Sequence, residues 1–187
     1  MSCLSAITEW LGLSSKPIAK GSVTFTNFEA AGCIFTDGEH ILAGYQPKRG
    51  AKLISGFGGS RKVGENYFET AMREVIEELF EIKPSQGLLE ALNLQFQPNK
   101  TLMNGPYIVL HYNLDDINIL LDIVSQHYSN SPIYSDMPIG LLDLIFKRRF
   151  LKGMEVQTIL LLPFVEDVII DGNFRKDINL IKTRSTD

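Results

Sequence analysis

The chain has 187 residues, 44% of them hydrophobic, with a net charge of −4 and an isoelectric point near 5.4. That length supports one core and is short for two, so one unit over residues 1–187 is expected. The acidic balance disfavours a broad nucleic-acid face, because an anionic substrate would have to be held by locally gathered cations.

Residues 1–21 have no cationic start and no continuous apolar block, so they do not read as a secretory leader. A weak amphipathic cap around Trp10 and Leu11 is expected instead. The longest apolar stretch, residues 159–165, is far below the roughly 20 residues that span a bilayer and contains Pro163. Cys3 and Cys33 lack the CxxC or Cys/His spacing of a zinc site, and Cys33, in an apolar run, reads as a buried small hydrophobe. A reducing cytoplasm suits this composition.

In chain order, residues 22–28 and 30–35 are rich in β-branched and aromatic side chains and read as strands; Asp37-Gly38 then turns the chain into a strand over 40–45. Pro47, Gly50 and the cations Lys48, Arg49 and Lys52 mark a loop, and residues 53–57 form a short strand leading into Gly58-Gly59. From Asn66 the period becomes helical, with Phe68, Met72, Val75 and Leu79 on one stripe. Asn66 caps this helix, Glu69 completes a capping box, and Pro84 stops it soon after Ile82.

Further on, residues 88–94 read as a short helix or strand, 107–112 as a strand and 115–128 as a helix with Ile117, Leu120, Leu121 and Val124 inward. A polar link precedes a helix over 139–150, with Phe146 and Phe150 expected to face the core. Residues 156–162 read as a buried strand, and 164–181 as a closing helix interrupted near Gly172. Residues 22–113 and 154–182 thus make the core, and 114–150 a helical addition that shapes a pocket or supports a homodimer.

Glu74, Glu77 and Glu78 stand at i, i+3 and i+4 and crowd one flank of the first helix, opposite its apolar stripe. Their mutual repulsion costs a few tenths of a kcal/mol per pair, which a hard divalent cation would offset, since Mg²⁺ takes carboxylate oxygens together with substrate phosphates. Alone, such a string is more often a solvated acidic face. Gly58 and Gly59 end a strand where backbone can approach a metal or phosphate closely, and Arg73 can pair with Glu77 or orient a neighbouring carboxylate.

Gly59, five residues, Glu65, seven residues, then Arg73-Glu74-Val75-Ile76-Glu77-Glu78 resembles the Nudix box at seven specified positions. The resemblance extends loosely over residues 22–82. Two departures stand out: Phe80 and Glu81 replace the glycine and aliphatic that usually close the box, and Phe57 replaces a proline common before the paired glycines. The resemblance implies a Nudix fold, a mixed β-sheet sandwiched between helices, with extra helices in the C-terminal half. It also implies hydrolysis of a phosphoanhydride in a nucleoside diphosphate linked to another group, with Mg²⁺ or Mn²⁺ as cofactor.

Carried over by position, Glu74, Glu77 and Glu78 would be metal ligands, joined by the Gly59 carbonyl. Arg73 and Glu65 would hold loop and helix in register beside Gly58. The general base is open between Glu74 and an acid outside the box, Asp115, Asp116 or Glu155, and Lys48, Arg49 and Lys52 are candidate phosphate contacts.

Two competing readings remain open. The cluster Lys147, Arg148, Arg149 and Lys152 could track capped RNA in a decapping enzyme, although a cation-rich helix end gives the same pattern. A non-catalytic ligand-binding module is opposed by the intact glutamates. His40, His111 and His127 have no mutual spacing of a metal site.

Overall fold

The computed structural model describes residues 25, 27–47, 54–164 and 169–183. The expected N-terminal cap, Cys3 and the basic loop residues Lys48, Arg49 and Lys52 lie outside them.

Strand β1 (Ala30–Thr36) organises the sheet. Along one edge it pairs in parallel with β6 (Tyr107–Asn113), from Ala30 opposite Tyr107 to Thr36 opposite Asn113. Its other edge is shared: β4 (Phe57–Ser60) runs antiparallel beside Ala30 to Cys33, and β2 (His40–Tyr45) meets it at Thr36 opposite Ile41. The Asp37-Gly38 turn therefore forms, but the hairpin splays because β4 already occupies the rest of that edge. β2 pairs instead with β7 (Thr158–Pro163) and β3 (Ile54–Ser55), while β5 (Lys100–Asn104) borders β6.

Alternation along β1 sends Ala31, Cys33 and Phe35 to one face and Ile34 to the other. The first face packs against α1 (Tyr67–Phe80), α2 (Gln86–Gln95), α3 (Asp116–His127) and α4 (Leu141–Phe146) through residues such as Met72, Leu88, Leu120 and Leu144. The second is covered by α5 (Gly172–Thr183), whose Phe174, Ile178 and Ile181 meet Ile34 and Val109. The fold is thus α/β, a mixed sheet between helices, as the sequence leads one to expect. No helix among the described residues is long and apolar enough to cross a membrane.

Several elements differ from expectation. Asn27 and Phe28 are not in a strand; Phe28 is buried, with the Arg61 guanidinium over its ring. The strand expected over 53–57 is broken at Gly56 into β3 and β4. Strand β5 carries no strand signal in its sequence, because Lys100, Thr101 and Asn104 lack an apolar alternation, as suits an edge.

The helix expected over 139–150 shrinks to the six residues of α4, and Phe146 and Phe150 are 80% and 64% exposed rather than facing the core. β7 is an edge strand whose Leu161 is partly exposed, not a buried one. α5 begins only at Gly172, where the Asp171 carboxylate accepts the amides of Asn173 and Phe174.

Candidate active site

Helix α1 starts as its sequence dictates. Asn66 Oδ1 accepts the amides of Phe68 and Glu69 at 2.9 and 3.0 Å, and Glu69 returns a bond to the Asn66 amide. Its apolar stripe, Phe68, Met72, Val75 and Leu79, is buried. The helix ends at buried Phe80, two residues short of the expected Ile82, and the left-handed conformation falls on Glu81, at φ 54°.

That last turn carries no cation of its own. Arg148 supplies one from a distant segment, donating to the carbonyls of Leu79 at 2.5 Å, Glu78 at 2.8 Å and Val156 at 2.6 Å. The basic cluster is thereby divided. Arg148 turns inward, and Lys147 pairs with Asp143 at 2.7 Å, so the grouping that suggested an RNA track is not presented as one surface.

Within the box, Arg73 is the hub. Its Nε and Nη2 grip the two oxygens of Glu65 at 2.6 and 3.0 Å, and Nη2 also donates to the Ser60 carbonyl at 2.8 Å. Nη1 reaches Glu74 at 2.5 Å and Glu77 at 3.1 Å. The planar fork thus ties loop, strand end and helix together, which a lysine could not do. Glu65 further accepts from the Lys62 amide and the Thr70 hydroxyl. Burial alone would raise the Glu65 carboxyl, but Arg73 and these donors hold it below the usual range.

Glu74 lies directly on Gly59, where a Cβ would stand only 2.5 Å from its carboxyl carbon. Glycine is required there for that approach. Burial pushes the Glu74 carboxyl upward, Arg73 pulls against it, and neighbouring Glu77 adds to the rise. Glu77 is more open and also meets Lys62 Nζ at 3.4 Å.

Glu78 corrects the expected picture of three carboxylates on one exposed flank. It is 3% exposed, and it accepts from the Gly58 amide and Gln46 Nε2, both at 2.9 Å. The reason is tertiary: β4 lies against this side of α1, so the helix position facing its glycines is interior. Gln46, which loop-like sequence gave no reason to single out, is buried and keeps its Oε1 without a hydrogen-bond partner among the described residues.

Among the described residues no three carboxylate, imidazole or thiolate groups already converge as metal ligands. The donor set nevertheless suits a hard divalent cation: Glu74 and Glu77 stand together at one end of the Arg73 guanidinium, and carboxylate oxygens are the ligands such an ion takes. Gln46 Oε1 adds an orphaned oxygen beside Glu78, and Gly59 leaves the Glu74 carboxylate open to the backbone.

The other face of the same glycines opens into a cleft of about 570 Å³ between β1, β4, β6 and α5. Tyr107 stands over it, its hydroxyl where a Cβ on Gly32 or Gly58 would lie, 2.0 and 2.3 Å away. Asp177 of α5, 7% exposed, accepts from Asn104 Nδ2 at 2.6 Å. Burial, offset by Asn104 and reinforced by Asp171, raises its carboxyl to about 6. Neither Asp177 nor Tyr107 stands out in the sequence; Tyr107 follows the Gly105-Pro106 turn that joins β5 to β6.

Of the other expected acids, Asp116 accepts from the Asn113 amide at the start of α3, and Asp115 and Glu155 are exposed. None of the three lines the cleft. His40 pairs with Asp37 at 3.3 Å.

No model of a known protein family matches the chain, and no curated protein does. Among solved structures, a bifunctional NMN adenylyltransferase/ADP ribose pyrophosphatase from Francisella tularensis, complexed with AMP and a Mn ion, is similar over 97% of this chain at 14% identity and a TM-score of 0.46. A second structure of such a bifunctional enzyme from the same organism is similar over 96% of this chain at 13% identity and a TM-score of 0.45. This chain spans 46% and 45% of their lengths. A NUDIX-family hydrolase from Clostridium perfringens is similar over 83% of this chain and 97% of its own, at 13% identity and a TM-score of 0.36.

Proposed function

We propose that the chain is a Nudix-type hydrolase that cleaves a phosphoanhydride bond in a small nucleotide-like substrate, a nucleoside diphosphate linked to a further group. The observation that carries this reading is the Arg73 fork, which presents Glu74 and Glu77 beside the Gly58-Gly59 strand end while Glu65 fixes the loop. Glu74, Glu77 and Glu78, with the Gly59 carbonyl, are the proposed ligands of Mg²⁺ or Mn²⁺. Although both Glu78 oxygens accept hydrogen bonds, each carboxylate oxygen has a second lone pair. Bound there, the metal would supply Lewis-acid stabilisation of charge on the phosphoryl oxygens.

Glu74 is the proposed general base. Its contact with Gly59 puts its carboxylate at the strand end, beside the proposed metal ligands. Lys48, Arg49 and Lys52, in the sequence before β3, are proposed phosphate contacts.

A mixed nucleotide panel with Mg²⁺ or Mn²⁺, read as release of phosphate-containing products, tests the proposal. Turnover should require the metal and fall at least 100-fold, about 3 kcal/mol in the barrier, in Glu74→Gln. The competing reading, a ligand-binding module without turnover, is favoured by the carboxylates being drawn onto Arg73 rather than converging. Binding of a panel member with no product released under any metal would establish it.

A further inference from the structure

The cleft behind Gly58 is not needed by the box itself, yet it is built as a binding site. Its volume, about 570 Å³, lies within the roughly 300–1,000 Å³ of small-molecule pockets. It begins at Gly58, Gly59 and Ser60, the strand end on which Glu74 rests, and ends at α5, so one ligand can reach both. Deep in it, Ser55 is 6% exposed and its Oγ has no hydrogen-bond partner among the described residues, although buried hydroxyls are normally satisfied.

The polar groups across the cleft define what fits. Asn104 Nδ2 gives one of its two hydrogens to Asp177 Oδ1, which leaves Asp177 Oδ2 and Asn104 Oδ1 as neighbouring acceptors. Tyr107 and Phe174 add aromatic walls to the same cleft. Beside these aromatic walls the Asp177 carboxylate, which when ionised can only accept, favours a flat ring whose facing edge presents N–H donors over one whose facing edge is a carbonyl oxygen.

We propose that this cleft receives the base of the substrate, a heteroaromatic ring bearing an exocyclic amino group, read by Asp177 and Asn104. The assignment rests on the hydrolase reading for the position of the phosphates. The recognition itself can be measured without turnover.

The 5′-diphosphates of guanosine, adenosine, cytidine, inosine and uridine serve as probes, with binding followed by calorimetry and hydrolysis followed with Mg²⁺. The best amino-bearing base should bind at least tenfold more tightly than inosine or uridine, and the ratio should collapse toward one in Asp177→Asn. Asn104→Ala should collapse it as well and serves if the first variant does not fold. Equal binding of all five, or a preference that survives in a folded variant, overturns the assignment. Base-selective binding lost in the variants, with no turnover of any member of the mixed nucleotide panel under either metal, refutes the catalytic reading and leaves this one standing. Hydrolysis without base preference does the opposite.

Discussion

At Gly58 and Gly59 adjacent residues lack a side chain for different reasons. The atoms nearest a Cβ on Gly59 all belong to the Glu74 carboxylate, a side-chain end, whereas one on Gly58 would meet the Gly32 Cα at 2.5 Å and the Ala31 carbonyl at 2.7 Å. Gly59→Ala should therefore keep its stability within about 1 kcal/mol in urea unfolding while turnover falls more than tenfold, since Glu74 must move. Gly58→Ala, with the backbone of β1 and the Tyr107 hydroxyl in the way, should fail to accumulate as folded protein. Glu78→Gln replaces a carboxylate that accepts from both the Gly58 amide and Gln46, so its nitrogen either opposes the Gly58 amide or requires Gln46 to turn over and offer Oε1. A loss of about 1–3 kcal/mol in denaturant unfolding is expected, on top of any loss of turnover. Unchanged stability would show that Glu78 does not brace the strand.

On the scale of elements, the closing turn of α1 is where the chain departs from the box it resembles. With Phe80 buried in the core, the left-handed position passes to Glu81, a non-glycine residue held there at a cost. Glu81→Gly should raise stability by roughly 0.5–1 kcal/mol. Arg148→Met should lower it by about 3 kcal/mol, because the carbonyls of Glu78, Leu79 and Val156 lose a shared donor. Urea titration of the two single variants checks both signs, and destabilisation of Glu81→Gly would place the strain elsewhere.

For the whole molecule, two carboxylates give opposite pH dependences. Glu65, held low by Arg73, contributes stability that is present at neutral pH and lost as the pH falls through its folded value. Asp177 is raised from 3.8 to about 6, so its folded form keeps a proton that the unfolded form gives up. Its contribution is present below pH 4 and lost between about pH 4 and 6, on the order of 2–3 kcal/mol at most. Asp177→Asn should accordingly be more stable than the parent above pH 6, and the difference should shrink toward pH 4. Thermal unfolding across that range checks it, and equal pH profiles for the two proteins would show Asp177 to be ionised throughout.

The local sequence determined the features that depend on neighbours along the chain: the Asn66-Glu69 capping box, the buried stripe of α1, the Asp37-Gly38 turn and the spacing that aligns Arg73 with Glu65 and Glu77. Each is set by periodicity or hydrogen bonds within about one or two turns. Only tertiary structure decided the rest. It buried Glu78 by laying β4 against α1, turned Arg148 across some 70 residues onto the helix end, and exposed Phe146 and Phe150 by cutting α4 short. It also joined Asn104 to Asp177 over a separation of 73 residues, behind glycines that bring two faces of one sheet together. Such contacts are made between elements, and their partners are fixed by which strand occupies which edge of β1, a choice that no local pattern of side chains encodes.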